Sequence, residues 1–170
     1  IEAEKAKSDS ILSHINRLLV EEEKVNFDSL LSRNLVNRSN FWMGYKEVLE
    51  EQISINENIV FELSSKRKEV IRELKLWINT KSLMDSVYTD SLYSWTINEV
   101  ILQAENLDRI ILSRTKVFFS TLKSLQQNYV RVDNLLLEIK NINRLRQEKI
   151  FQKTHPSILG TGFSEQSNWN

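Results

Sequence analysis

The side chains equipped to act on a substrate are few and scattered. His14 and His155 are the only histidines, and there is no cysteine. A transition-metal site needs several His, Cys or carboxylate groups at a recognisable spacing, and neither histidine has such company. His14 reads as a solvated residue on a helix face and His155 as a helix-end residue. Carboxylates adjoin only at Glu21 to Glu23 and at Glu50 and Glu51. Neighbours on a helix point in different directions, so these runs are solvated faces and not a positioned acid/base pair. The three glycines sit at 44, 160 and 162, so no glycine-rich phosphate loop exists. The expectation is a chain with no catalytic, cofactor-binding or metal-binding residues, and hence no enzyme.

Two basic stretches could do electrostatic work. Residues 66–75 hold five basic and two acidic side chains, and residues 140–149 hold four basic and one acidic, each net +3. The simpler reading pairs these faces with acidic ones, since residues 1–60 are net −4 and residues 61–170 net +4. Opposed helices bring such faces together. Zero net charge overall, and the lack of aromatic residues interleaved with the basic ones, argue against nucleic acid. The alternative is an anionic membrane surface contacted by Lys66, Arg67, Lys68, Arg72, Lys140 and Arg144. In that reading the chain resembles the crescent-shaped BAR dimers, which implies a dimeric helical domain lying on lipid.

The elements that must position these residues are helices. Glycine and proline together number four, where average usage would give about twenty. The absence of cysteine points to an intracellular setting, cytoplasmic in the first instance and nuclear as an alternative. No apolar run approaches the roughly 18 residues of a membrane span. Ile1 is not an initiator methionine and no signal-peptide pattern follows it, so the chain is expected to be part of something longer.

Apolar residues recur at three and four from Ile11, Ile15, Leu18 and Leu19 through Leu35, with a hitch near Asn26. This spacing predicts a first helix over about 2–37. The polar string at 34–40 supplies a turn. The grid Trp42, Leu49, Asn56, Leu63, Val70, Trp77 then predicts a second helix over about 40–78, with Gly44 permitting close approach of a neighbour. Asn56 either fixes register in the core or lies at its edge. A second turn is expected within 78–86, with a later helix start at Thr89 or Asp90 as the alternative. Ile97, Ala104, Ile111, Phe118, Leu125, Val132 and Ile139 form seven consecutive heptad positions. They predict a third helix over about 83–153, ended by Pro156. Trp42, Tyr45, Trp77, Tyr88, Tyr93 and Trp95 are expected to plug the bundle end.

The fold class is therefore all-α: an elongated antiparallel three-helix bundle or coiled coil over residues 1–153, with one long C-terminal helix and a flexible tail over 154–170. At 1.5 Å per residue the third helix is roughly 105 Å, about twice the length of the others. If the first two pack against its start, residues 123–153 project with an apolar stripe that needs a cover. A layout with the first two helices end to end along the third also leaves surface open, whereas a break in the third would give a compact four-helix bundle. The expected partner-binding surface is Leu125, Tyr129, Val132, Leu136, Ile139 and Ile142, joined by Phe163 and Trp169 as tail anchors. The functional expectation is a non-catalytic coiled-coil scaffold or assembly subunit, making homo- or hetero-oligomers through the long helix.

Overall fold

The computed structural model describes the backbone of residues 2–87 and 91–154, and the side chains of residues 2–85 and 93–150. Helix α1 spans Glu2–Glu22, a 3-10 turn follows at Phe27–Ser29, α2 spans Ser32–Val87 and α3 spans Ser91–Thr154. At 1.5 Å per residue α2 is about 85 Å long and α3 about 95 Å. They form an antiparallel hairpin. Lys46 pairs with Asp133 at 2.6 Å and Arg67 with Asp108 at 2.7 Å, so residue numbers rise on one helix as they fall on the other. Short α1 lies along the open end of this hairpin. It runs antiparallel to α2, with Ser8 at Gln52 and His14 at Tyr45, and parallel to α3, with Glu2 at Arg114 and Asn16 at Arg131.

The heptad grids are buried over most of their length but not toward the hairpin turn, where Val70 and Ala104 are only partly buried and Trp77 is exposed. Trp42, Leu49, Asn56 and Leu63 on α2 are buried, as are Ile97, Ile111, Phe118, Leu125, Val132 and Ile139 on α3. Leu12, Ile15 and Leu19 of α1 complete a three-helix core with Leu35, Trp42, Leu49, Leu125, Val132, Leu135 and Ile139. Fold class is all-α, as expected, but the internal boundaries differ. The first turn is not at 34–40. It falls at the hitch near Asn26, whose Oδ1 accepts the Asp28 amide at 3.0 Å while its carbonyl accepts the Ser29 hydroxyl at 2.7 Å. The polar string stays helical because Leu35 and Trp42 lie on one buried stripe. Burying each contributes roughly 1.5–3 kcal/mol, against at most about 0.7 kcal/mol of propensity lost at each Asn or Ser.

The second turn is not within 78–86; α3 begins at Ser91, in keeping with the alternative later start at Thr89 or Asp90. α2 continues through the expected 78–86 turn to Val87, with the Thr80 hydroxyl donating back to the Leu76 carbonyl at 2.9 Å instead of capping a new helix. No break interrupts α3. Gly44 gives no close approach either, since a Cβ built on it would meet nothing within 4 Å.

The largest correction concerns what projects. α1 lies along α3 from about residue 114 and, with the turn that follows it and the start of α2, covers the stripe at 125–142, so that stripe is not bare, and α1 and α2 do not lie end to end. The single-layer part is the other end: α2 from about residue 57 onward and α3 up to about 113, where among the described residues two helices pack with no third. A smaller core of Val60, Leu63, Ile111 and Phe118 holds its inner portion. Beyond Leu63 no described side chain of α2 is fully buried.

Candidate interaction surface

The residues expected to bind a partner are mostly the chain's own core. Leu125, Val132 and Ile139 have no exposed surface, and Tyr129, Leu136 and Ile142 pack partly buried against them. The stripe needed a cover, and α1 with the start of α2 provides it. Phe163 and Trp169 lie outside the described residues. His155 does as well, while His14 sits on the α1 surface with Nε2 at 2.8 Å from the Tyr45 hydroxyl.

The basic residues divide by position. Lys66, Lys68 and Arg72 are exposed on the two-helix half. Arg67 instead faces Asp108, whose hydrogen bond raises the guanidinium pKa above its ordinary value against the opposing effect of desolvation. Lys140 and Arg144 lie near the far end of α3, with Arg144 bonded to Glu148 at 3.1 Å. At 1.5 Å per residue, and with Arg67 level with Asp108, the two clusters stand roughly 45 Å apart. They do not form one patch. Among the described residues no group of three or more His, Cys, Asp or Glu comes together.

The three-helix half carries polar groups that set its register. The Ser8 hydroxyl donates to Gln52 Oε1 at 3.2 Å, and Asn56 Nδ2 donates to Ser8 Oγ at 3.0 Å and to the Gln52 carbonyl at 2.8 Å. All three side chains are buried. Gln52 Nε2 and Asn56 Oδ1 have no partner, so the cluster is specific but incompletely satisfied. On the outer edge, Arg131 reaches Asn16 at 3.1 Å and Glu23 at 2.6 Å. Sequence reasoning placed Arg146 in a basic cluster. In the structure its guanidinium donates to the carbonyls of Phe27, Asp28 and Leu30, and so closes the turn between α1 and α2. Nothing in the local sequence marks that role, because donor and acceptors are more than a hundred positions apart.

The two-helix half has a different surface. Phe61 is 74% exposed and Trp95 67%, and Leu76, Trp77, Leu107 and Ile110 also face solvent. The aromatic group does not plug one bundle end. Trp42 is fully buried in the three-helix core, Trp77, Tyr93 and Trp95 are exposed near the opposite end, and Tyr88 lies outside the described residues. The indoles of Trp77 and Trp95 face outward where no described third helix meets them.

The class these features define is an all-α helical bundle: a long antiparallel hairpin braced at its open end by a short third helix. Comparison with protein-family models, with curated proteins and with solved structures gives no match. Among the described residues no helix is long and apolar enough to cross a membrane.

Proposed function

We propose that this chain is a non-catalytic coiled-coil scaffold or assembly subunit whose association surface is the two-helix half of the hairpin. One observation carries this reading: Phe61, Leu76 and Trp77 of α2 and Trp95, Leu107 and Ile110 of α3 stand on solvent where no described third helix braces the hairpin, although exposed apolar residues such as Leu31 and Phe119 occur on the three-helix half too. A contiguous apolar patch of more than a few hundred Å² marks an interaction site more often than idle surface. The long helix thus remains the associating element, but through residues N-terminal to about 118 and not through the stripe at 125–142. The test is the sedimentation of the tagged chain in extracts of its native cells. Leu107→Glu together with Ile110→Glu and Trp95→Glu should shift it from a large assembly to the monomer position without loss of helicity. Unchanged sedimentation would remove this half as the association surface.

A second reading, a helical domain like the BAR dimers on an anionic membrane, is favoured by the exposure of Lys66, Lys68 and Arg72 on this same half. Co-sedimentation with anionic vesicles at physiological salt separates the two. Failure to pellet removes the membrane reading, and pelleting lost in Lys66→Glu/Lys68→Glu/Arg72→Glu would favour it over a protein partner.

A further inference from the structure

The buried polar atoms left without a protein partner are not spread through the fold. Among the described residues there are five. Glu4 Oε2 and Glu22 Oε1 belong to α1, while Trp42 Nε1, Gln52 Nε2 and Asn56 Oδ1 belong to the part of α2 packed on it. The buried threonines of α3 are instead satisfied within their own helix, Thr115 by the Ile111 carbonyl at 2.8 Å and Thr121 by the Val117 carbonyl at 3.3 Å. Lifting α1 opens the seam that holds all five atoms to water, which offsets part of the apolar contact given up. The hairpin has ties of its own that do not involve α1. These are the Lys46–Asp133 and Arg67–Asp108 pairs and the core of Val60, Leu63, Ile111 and Phe118.

What α1 covers is apolar and edged with positive charge. Its Leu12, Ile15 and Leu19 share one core with Trp42, Leu49, Leu125 and Val132, the last four without exposed surface. At the edges Arg38 pairs with Glu22, Arg131 with Glu23 at 2.6 Å and Arg114 with Glu2 at 3.9 Å. Residues 2–23 hold six acidic and three basic side chains, net −3, so charge as well as apolar pattern fits α1 to its seat. We infer that this seat is a helix-binding groove with α1 as its displaceable resident, and that a partner protein's amphipathic helix takes the place of α1. Such a helix presents apolar residues at the spacing of 12, 15 and 19 and carboxylates at its ends. The inference goes beyond the association reading, since it concerns the three-helix half and uses none of the residues exposed on the other. A second copy is the poorer occupant. Its own α1 already fills an identical groove, and an exchange would create no contact that each chain lacks.

Amide exchange of the purified full chain reads the release directly. α1 should exchange at least about a hundredfold faster than the amides around Leu63 and Phe118, through an opening that leaves those protected. Ile15→Asp with Leu19→Asp should unseat α1 and leave the hairpin helical. That variant should bind a fluorescent peptide of residues 2–23 at least about tenfold more tightly than the wild type, whose own α1 competes for the groove. The same peptide carrying Glu2→Gln, Glu22→Gln and Glu23→Gln should bind about fivefold more weakly. Protection lost in α1 and around Leu63 and Phe118 together overturns the inference. So does a double variant that unfolds throughout, because α1 would then be inseparable from the hairpin. A helical double variant that takes up no peptide overturns the groove. A purified chain that dimerises, and loses the dimer in Ile15→Asp/Leu19→Asp but not in Leu107→Glu/Ile110→Glu, overturns the partner helix in favour of a second copy's α1.

Discussion

The Arg146 guanidinium donates to the Phe27 carbonyl at 3.2 Å across 119 positions of sequence, and its other contacts reach the Asp28 and Leu30 carbonyls. A turn that leaves a helix carries carbonyls without helical partners. Here one side chain from near the end of α3 donates to three carbonyls of the turn, of which that of Phe27 also accepts the Leu30 amide, and ties α1, α2 and α3 together at the open end of the hairpin.

Arg146→Gln should therefore loosen that corner before it affects anything else. Hydrogen bonds from a charged donor contribute roughly 1.5–3 kcal/mol each in favourable cases, and a part-exposed site lies at or below the low end. A loss of about 1–2 kcal/mol of global stability is expected. Amide exchange should accelerate over residues 23–31 and in α1, while α2 and α3 around residues 60 and 115 keep wild-type protection. Uniform acceleration across the whole chain would show that Arg146 is not a local clasp.

Ser8 tests the buried polar cluster. Ser8→Ala removes the acceptor of Asn56 Nδ2 and the donor to Gln52 Oε1, in a cluster that already has two unpaired atoms. Asn56 Nδ2 keeps the Gln52 carbonyl, but Gln52 Oε1 is left without a donor, and a buried polar atom left unpaired costs about 1–3 kcal/mol, so a loss of unfolding free energy of that size is expected. Ser8→Ala combined with Asn56→Leu should recover much of it, because an apolar pair of similar volume leaves less unsatisfied. Chemical denaturation of the three variants gives the answer, and a double variant no better than the single would show that packing, not polarity, governs the site.

The heptads were legible because burial and helical geometry share one period: Leu49, Leu63, Leu125, Val132 and Ile139 could be assigned to the inside from spacing alone. What covers them could not. Periodicity says that the face at Leu125 is buried, but burial against α1 and burial against another chain leave the same pattern. Turn placement failed for a related reason. Asn34, Asn37 and Asn40 are turn-forming residues locally, yet Leu35 and Trp42 hold that segment helical through contacts distant in sequence. Asn26 carried a weaker composition signal and made the real turn, because its side chain could cap while Phe27 turned into the core. The open apolar half became visible only once the position of α1 was known. Leu125 stands on the heptad grid while Leu107 and Ile110 stand beside it, but nothing in the sequence says that the face beside the grid stays uncovered there.

Gly44 offers a stabilising change. It lies inside α2 on the surface, and an added Cβ would meet nothing within 4 Å. Alanine in a helix interior is favoured over glycine by up to about 1 kcal/mol, with no steric term here to offset it. Gly44→Ala should raise the thermal midpoint by a few degrees without altering oligomeric mass. A lower midpoint would show that the surface at Gly44 is packed in solution, by a second copy or by another part of the chain.

Lys46 gives the fold an alkaline limit. Its ammonium donates to Asp133 at 2.6 Å, and that hydrogen bond, with a smaller contribution from Tyr129, raises its pKa above the ordinary lysine value. A basic group whose pKa is higher folded than unfolded contributes in full below its unfolded value, near 10.4, and loses that contribution as pH rises through the folded value. Thermal melts of wild type and Lys46→Met should thus differ by a constant amount from neutral pH to about 10, then converge above it. The pair bridges α2 and α3 within the three-helix half, and one partner is well exposed, so the constant difference should be small. A difference that persists unchanged beyond pH 11 would assign the effect of Lys46 to its aliphatic stem, which packs with its charge 5.0 Å from the Tyr129 ring centre.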